Sequence, residues 1–188
     1  MTAMETSAPV LSAKLHRMFT MLDADGDGLM SEEDLPRLAD RLREGFGRAG
    51  ETVRTDRLRA LLAAIWDHHL ARADEDGDGR IDAATYDRAV RHAVATRRSE
   101  LLADFSAMVT AWLDLCDLDG NGLIDRDEYR LMLRVAFDAP HEASDAAFDR
   151  LDADGNGTLE PEEVQAAVED YFTSNDGDAP GNWLFGPL

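Results

Sequence analysis

Four twelve-residue windows constrain this chain more than any other feature. They are Asp23–Asp34 (DADGDGLMSEED), Asp74–Thr85 (DEDGDGRIDAAT), Asp117–Glu128 (DLDGNGLIDRDE) and Asp152–Glu163 (DADGNGTLEPEE). Of the 39 acidic residues in the 188-residue chain, 21 fall inside these 48 positions. Like charges at that density repel strongly. They are tolerated where a counter-charge offsets the repulsion, and a bound divalent cation is the natural candidate. The formal net charge of −20 argues against phosphate backbones and anionic lipid headgroups as partners, so no nucleic-acid or membrane partner is expected.

The spacing inside each window agrees. Positions 1, 3 and 5 carry Asp, Asp, and Asp or Asn. Position 6 is Gly28, Gly79, Gly122 or Gly157, which permits the positive φ of a sharp turn. Position 7 turns a backbone carbonyl inward, and position 12 returns a side chain from the start of a helix. This is the EF-hand calcium loop, in which hard oxygen ligands surround a large hard cation. Position 8 is apolar throughout (Met30, Ile81, Ile124, Leu159), which predicts short antiparallel β contacts between paired loops.

The candidate ligands differ between loops. The third offers Asp117, Asp119, Asn121, the Leu123 carbonyl, Asp125 through a water, and Glu128. The fourth offers Asp152, Asp154, Asn156, the Thr158 carbonyl, Glu160 and Glu163. A closing Glu can give two oxygens and complete the six to eight that Ca²⁺ takes, so these are the expected strong sites. The first loop has Asp23, Asp25, Asp27, the Leu29 carbonyl and Ser31, but closes with Asp34. That shorter side chain favours a tighter six-coordinate shell, so mixed Ca²⁺/Mg²⁺ binding is expected there. The second has Asp74, Asp76, Asp78, the Arg80 carbonyl and Asp82, but ends in Thr85, which brings no carboxylate. It is expected to be a structural loop, empty or weakly filled, paired with the first.

Apolar residues at helical spacing flank every loop. Leu15, Met18, Phe19 and Leu22 precede the first; Val109, Trp112, Leu113 and Cys116 precede the third. The expected fold is all-α: four helix-loop-helix motifs in two packed pairs, compact, with β contacts between paired loops. The pairs are expected at 1–95 and 96–172, followed by a tail at 173–188. Loop starts are 51, 43 and 35 residues apart. The first gap contains a glycine-rich break at 44–50, then a long helix from about Thr55 to Ala73. The middle connection, Thr96–Glu100, is short and polar, which favours compact packing.

This pattern resembles the sarcoplasmic calcium-binding proteins, and in particular the calerythrin-like proteins of actinobacteria. The resemblance covers nearly the whole chain. It rests on the wide early loop spacing, the missing acid at Thr85, the closing Asp34, and the tail Asp178-Ala-Pro-Gly-Asn-Trp-Leu-Phe-Gly-Pro187. It implies a compact all-α fold, cation binding at the first, third and fourth loops, and calcium buffering or transport.

Other residues have plainer readings. Trp183, Leu184 and Phe185 are expected to plug the cleft between helix pairs, since exposing three large apolar side chains is costly. Cys116 reads as a buried small hydrophobe. His68 and His69 are adjacent, so on an α-helix they would point apart, and with no Cys or acidic partner at i+4 a zinc site is not expected. Met18, Met21, Met30, Met108 and Met132 read as core. There is no phosphate-binding glycine loop and no recognisable acid/base or nucleophile arrangement, so no enzyme is expected. No apolar run is long enough to span a bilayer, the first nine residues lack a signal-peptide pattern, and one cysteine suits a reducing compartment. The expectation is a monomeric, cytoplasmic calcium buffer with about three working sites. The alternative is a calcium sensor acting on a partner protein.

Overall fold

A computed structural model of the chain describes residues 9–47, 50 and 52–188. Residues 1–8 of the N-terminal segment read above and Arg48–Ala49 of the glycine-rich break lie outside the described residues. Seven α-helices are present among the described ones: α1 Pro9–Leu22, α2 Asp34–Gly45, α3 Val53–Ile65, α4 Ala83–Cys116, α5 Arg126–Phe137, α6 His141–Leu151 and α7 Pro161–Thr173. Four short strands sit in the loops: β1 Leu29–Ser31, β2 Arg80–Asp82, β3 Ile124–Asp125 and β4 Thr158–Leu159. β1 pairs antiparallel with β2 and β3 with β4, which brings Met30 opposite Ile81 and Ile124 opposite Leu159. The fold class therefore agrees with the reading of the loops and their apolar eighth positions.

Two connections differ from expectation. The segment after α3 does not continue as α-helix. It relaxes into a π-helical turn, Trp66–Leu70, and then a 3₁₀ turn, Ala71–Ala73, before the second loop. The middle connection is not a coil. α4 runs through it as one 34-residue element, bent at Arg97 (φ −143°, ψ 39°). Neither Pro nor Gly stands at the bend; the Arg97 guanidinium donates to the His68 carbonyl at 2.9 Å. α4 thus leaves the second loop and enters the third.

The π turn also corrects the reading of the adjacent histidines. Their rings do not diverge. His68 Nδ1 and His69 Nε2 both lie 2.9 Å from the same oxygen of Asp104, an acid on α4. Each residue turns through a smaller angle in a π-helix, so neighbours share a face more readily. The partner is 35 residues away, where i+4 spacing has no sight of it.

Buried residues of all seven helices form one contiguous core. Phe105 meets Phe172 at 4.0 Å between ring centroids, joining α4 to α7. Met18, Met21, Met30, Met108 and Met132 are all buried in it. Cys116 is buried too, its thiol donating to the Trp112 carbonyl at 3.5 Å. After α7 the chain makes a 3₁₀ turn, Pro180–Trp183, and inserts Phe185 beside Trp112 (5.2 Å, stacked) and Tyr171 (4.9 Å, edge-on). Leu184 is buried and Trp183 half-buried, with the Arg150 guanidinium over its ring.

A buried Phe truncated to Ala loses its transfer energy and leaves a cavity that neighbours fill only in part. Phe185→Ala is expected to lower unfolding free energy by about 3–5 kcal/mol, read from denaturant titration at saturating calcium.

Candidate metal centres

Each loop is wound around its first aspartate. Asp23, Asp74 and Asp117 accept backbone N–H groups from positions 4 and 6, at 2.7–3.0 Å. Asp152 accepts instead from positions 5 and 6, Asn156 and Gly157. The turn requires positive φ at position 6, and also at position 4: Gly120 and Gly122 stand at 78° and 81°. The position-4 glycines were visible in the sequence, and their role was missed. In the exposed second loop the amide of Gly79 holds the Asp74 carboxyl below its usual range, with help from Gly77. A charged carboxylate is thereby prepared in advance.

The third and fourth loops close into rings. Glu128 Oε1 accepts the Leu118 N–H at 2.7 Å and Oε2 the Asp125 N–H at 3.0 Å. Glu163 repeats this with Ala153 at 2.8 Å and Glu160 at 3.1 Å. Both oxygens are thus pinned to opposite sides of the loop. Asp117, Asp119 and Glu128 place ligand atoms within 4.8 Å of one another, and so do Asp152, Asp154 and Glu163. Asn121 and Asn156 brace these groups, donating to Asp119 at 2.9 Å and Asp154 at 3.1 Å. Thr158 stands in β4 and Leu123 just before β3.

The first loop gathers Asp23, Asp25 and Asp27 within the same 4.8 Å, but Asp34 is not in that group. One methylene shorter than Glu, Asp34 does not span the loop. Its Oδ2 accepts both the N–H and the hydroxyl of Ser31, at 2.9 and 2.8 Å. Its Oδ1 is buried with no hydrogen-bond partner, the Arg37 guanidinium standing 3.7 Å away. A desolvated carboxylate oxygen left this way fits a nearby cation. The second loop gathers Asp74, Asp76 and Asp78. Its closing residue turns away: the Thr85 N–H caps α4 on Asp82 at 2.8 Å, and its hydroxyl accepts from Arg88.

Arginines touch the first loop from outside it, which its own twelve residues do not reveal. Arg37 bonds Asp25 at 2.8 Å, and Arg80, carried across by the β1–β2 pairing, reaches Asp27 at 3.3 Å. Around the third and fourth loops the arginines meet acids outside the expected ligand sets. Arg130 bonds Asp127 and Asp145, and Arg126 bonds Asp149. Two guanidinium groups on the first loop's ligands oppose a cation there and have to be displaced or shared.

This geometry, repeated through four helix-loop-helix units, is that of the EF-hand class. The EF-hand family model matches residues 108–133 and 145–168, the two segments whose loops close with Glu. Within that class the chain resembles calerythrin of Saccharopolyspora erythraea, 24% identical over 163 residues that cover 86% of this chain and 92% of that one. It likewise resembles sarcoplasmic calcium-binding protein 1 of Astacus leptodactylus, 28% identical and covering 89% and 91%. Among solved structures, a Streptomyces coelicolor calcium-binding protein, described in connection with prokaryotic calcium-mediated regulation, superposes with a TM-score of 0.70. It is 27% identical, covering 87% of this chain and 98% of that one. No helix among the described residues is long and apolar enough to cross a membrane.

Exposed ion pairs contribute modestly. Arg37→Ala and Arg80→Ala are each expected to tighten divalent-cation binding at the first loop by about two- to fivefold, and calorimetry should find the other sites unchanged.

Proposed function

We propose that this chain is a calcium buffer or carrier that takes up Ca²⁺ at its third and fourth loops and a Ca²⁺/Mg²⁺ mixture at its first. The chain is a binding protein and not an enzyme; sarcoplasmic calcium-binding protein 1, whose match spans most of it, is named for calcium binding. The observation that carries the reading is the pinning of Glu128 and Glu163 by both oxygens, opposite Asp117–Asp119 and Asp152–Asp154. Each Glu oxygen accepts one N–H and keeps a lone pair for the ion. Ca²⁺ accepts such crowded, partly bidentate oxygen shells; Mg²⁺ holds to six ligands and keeps its waters. The shorter Asp34 makes the first site less selective. The second loop, without a closing acid, stays structural.

Binding is coupled to folding. Three divalent ions offset six of the twenty formal negative charges. At a hundredfold excess over Kd each site adds about 2.7 kcal/mol to stability. The same linkage makes the loops a store whose filling leaves the apolar cleft around Phe185 closed.

A calcium sensor is the second reading, and one feature favours it. A cleft of about 810 Å³ lies open between α1 and α5, lined by Met21, Val135 and Phe137 with Arg17, Arg41 and Arg134 around it. An acidic amphipathic partner suits that surface.

Calorimetry in millimolar Mg²⁺ is expected to count two Ca²⁺ sites, rising to three without Mg²⁺. Glu128→Gln and Glu163→Gln should each remove one. Retention of every site in both variants would refute the ligand assignment. The melting temperature is expected to rise by more than about 10 °C from excess chelator to saturating Ca²⁺. Binding of an apolar dye should stay flat or fall; a rise on adding Ca²⁺ would favour the sensor.

A further inference from the structure

Three ligand-type side chains meet outside the four loops. His68 Nδ1, His69 Nε2 and a carboxylate oxygen of Asp104 lie within 4.8 Å of one another. We propose that they form a second class of metal site, one that takes a borderline transition ion of the zinc kind and not Ca²⁺.

The donor set decides the class. Two imidazole nitrogens and one carboxylate oxygen suit Zn²⁺ and its first-row neighbours, whereas Ca²⁺ and Mg²⁺ take oxygen shells. Three protein ligands with a fourth position open is a common zinc arrangement. Ligands about 2.0–2.1 Å from a tetrahedral ion stand about 3.3 Å apart. Each histidine nitrogen is now 2.9 Å from Asp104 Oδ2, so these two pairs have to spread by a few tenths of an ångström, and the two nitrogens lie within 4.8 Å of each other.

The backbone supplies the second argument. The rings converge because residues 66–70 form a π-helical turn. Such turns are rare and are frequent at functional sites. Arg97 holds this one from α4 through the His68 carbonyl. There is also room. A cleft of about 380 Å³ opens over the group, with Asp67 and Glu100 on its wall as anchors for a fourth ligand or its water. Arg72 and Arg97 line the same cleft and oppose a cation, although Arg97 is already engaged by the backbone.

The two rings differ in what binding asks of them. His68 is half exposed, so its free nitrogen carries the ring proton into solvent. His69 is buried against Phe105, and its Nδ1 has no hydrogen-bond partner. Metal-bound histidines normally donate that second N–H to an acceptor, and losing such support weakens affinity about 10–100-fold. The site is therefore expected to be weaker than one in which both histidines are supported.

The full chain, with its loops saturated by millimolar Ca²⁺, is titrated with Zn²⁺ by calorimetry and with Co²⁺ by visible absorption. One ion per chain is expected, with the d–d band of tetrahedral Co²⁺. His68→Ala and Asp104→Asn should each weaken binding at least about tenfold and remove the band, leaving the Ca²⁺ count unchanged. Glu163→Gln should lower the Ca²⁺ count and leave Zn²⁺ uptake intact, which separates this site from the loops. His68 is exposed enough for its variant to fold, and a melting curve checks that. Absence of Zn²⁺ uptake by the Ca²⁺-saturated chain, or affinities of both variants within about twofold of the parent, would overturn the proposal and leave two histidines hydrogen-bonded to one carboxylate.

Discussion

The closing carboxylate of a twelve-residue loop governs this structure, because it serves the ion and the helix at once. Glu128 is the third residue of α5, and it forms a capping box with Asp125. Glu163 does the same for α7 with Glu160. The helix therefore starts where the ring shuts, and its first turn satisfies amides that would otherwise be orphaned. One carboxylate fixes the position of the cation relative to the direction of the outgoing helix. Removing the acid, as at Thr85, removes the ring but not the helix, since Asp82 caps α4 unaided. That is why a loop deficient in ligands can persist as a structural partner of its neighbour.

α4 gives the asymmetry wider reach. It leaves the second loop, which has no closing acid, and enters the third, which has one, with a non-helical break at Arg97. At its bend Arg97 bonds the π turn that precedes the second loop, and Asp104, about two turns on, holds both histidines of that turn. The incoming helix of the third hand is thus tied, through polar contacts, to the incoming segment of the second.

What was legible in the sequence follows from distance along the chain. Loop closure by Glu128 and Glu163 and the apolar helix faces are set within short stretches of chain, and both were readable; the β contacts at position 8 join distant residues but were readable because the four loops repeat in register. The long-range polar contacts were not. Arg80 reaches Asp27 only because β2 lies beside β1. Asp104 meets His68 and His69 only because α4 folds back along α3 and because a π turn replaces an α turn. Lys14, the single lysine of the chain, is buried, and it donates to the Asp170 and Ser174 carbonyls and the Asn182 side chain at 2.8–2.9 Å. Those three acceptors use every N–H of an ammonium. They come from the end of α7 and the tail, more than 150 residues away.

The same clasp bears on what calcium can do. Burial lowers the Lys14 pKa to about 8, so the ammonium is retained at neutral pH by its three acceptors against desolvation. Opening the cleft that holds Phe185 would break this cage and expose the ring stacked on Trp112. Losing the buried ring contacts and a charge-assisted cage costs several kcal/mol. A ligand shifts a conformational equilibrium only by its differential affinity for the two states, and each tenfold preference contributes about 1.4 kcal/mol. Three ions would each have to favour an open state by more than tenfold to expose that cleft. The loops are already wound by their own amides into the shape the ion needs, so little such preference is available. On the proposed reading, filling the sites stabilises the closed molecule, as is expected of a store.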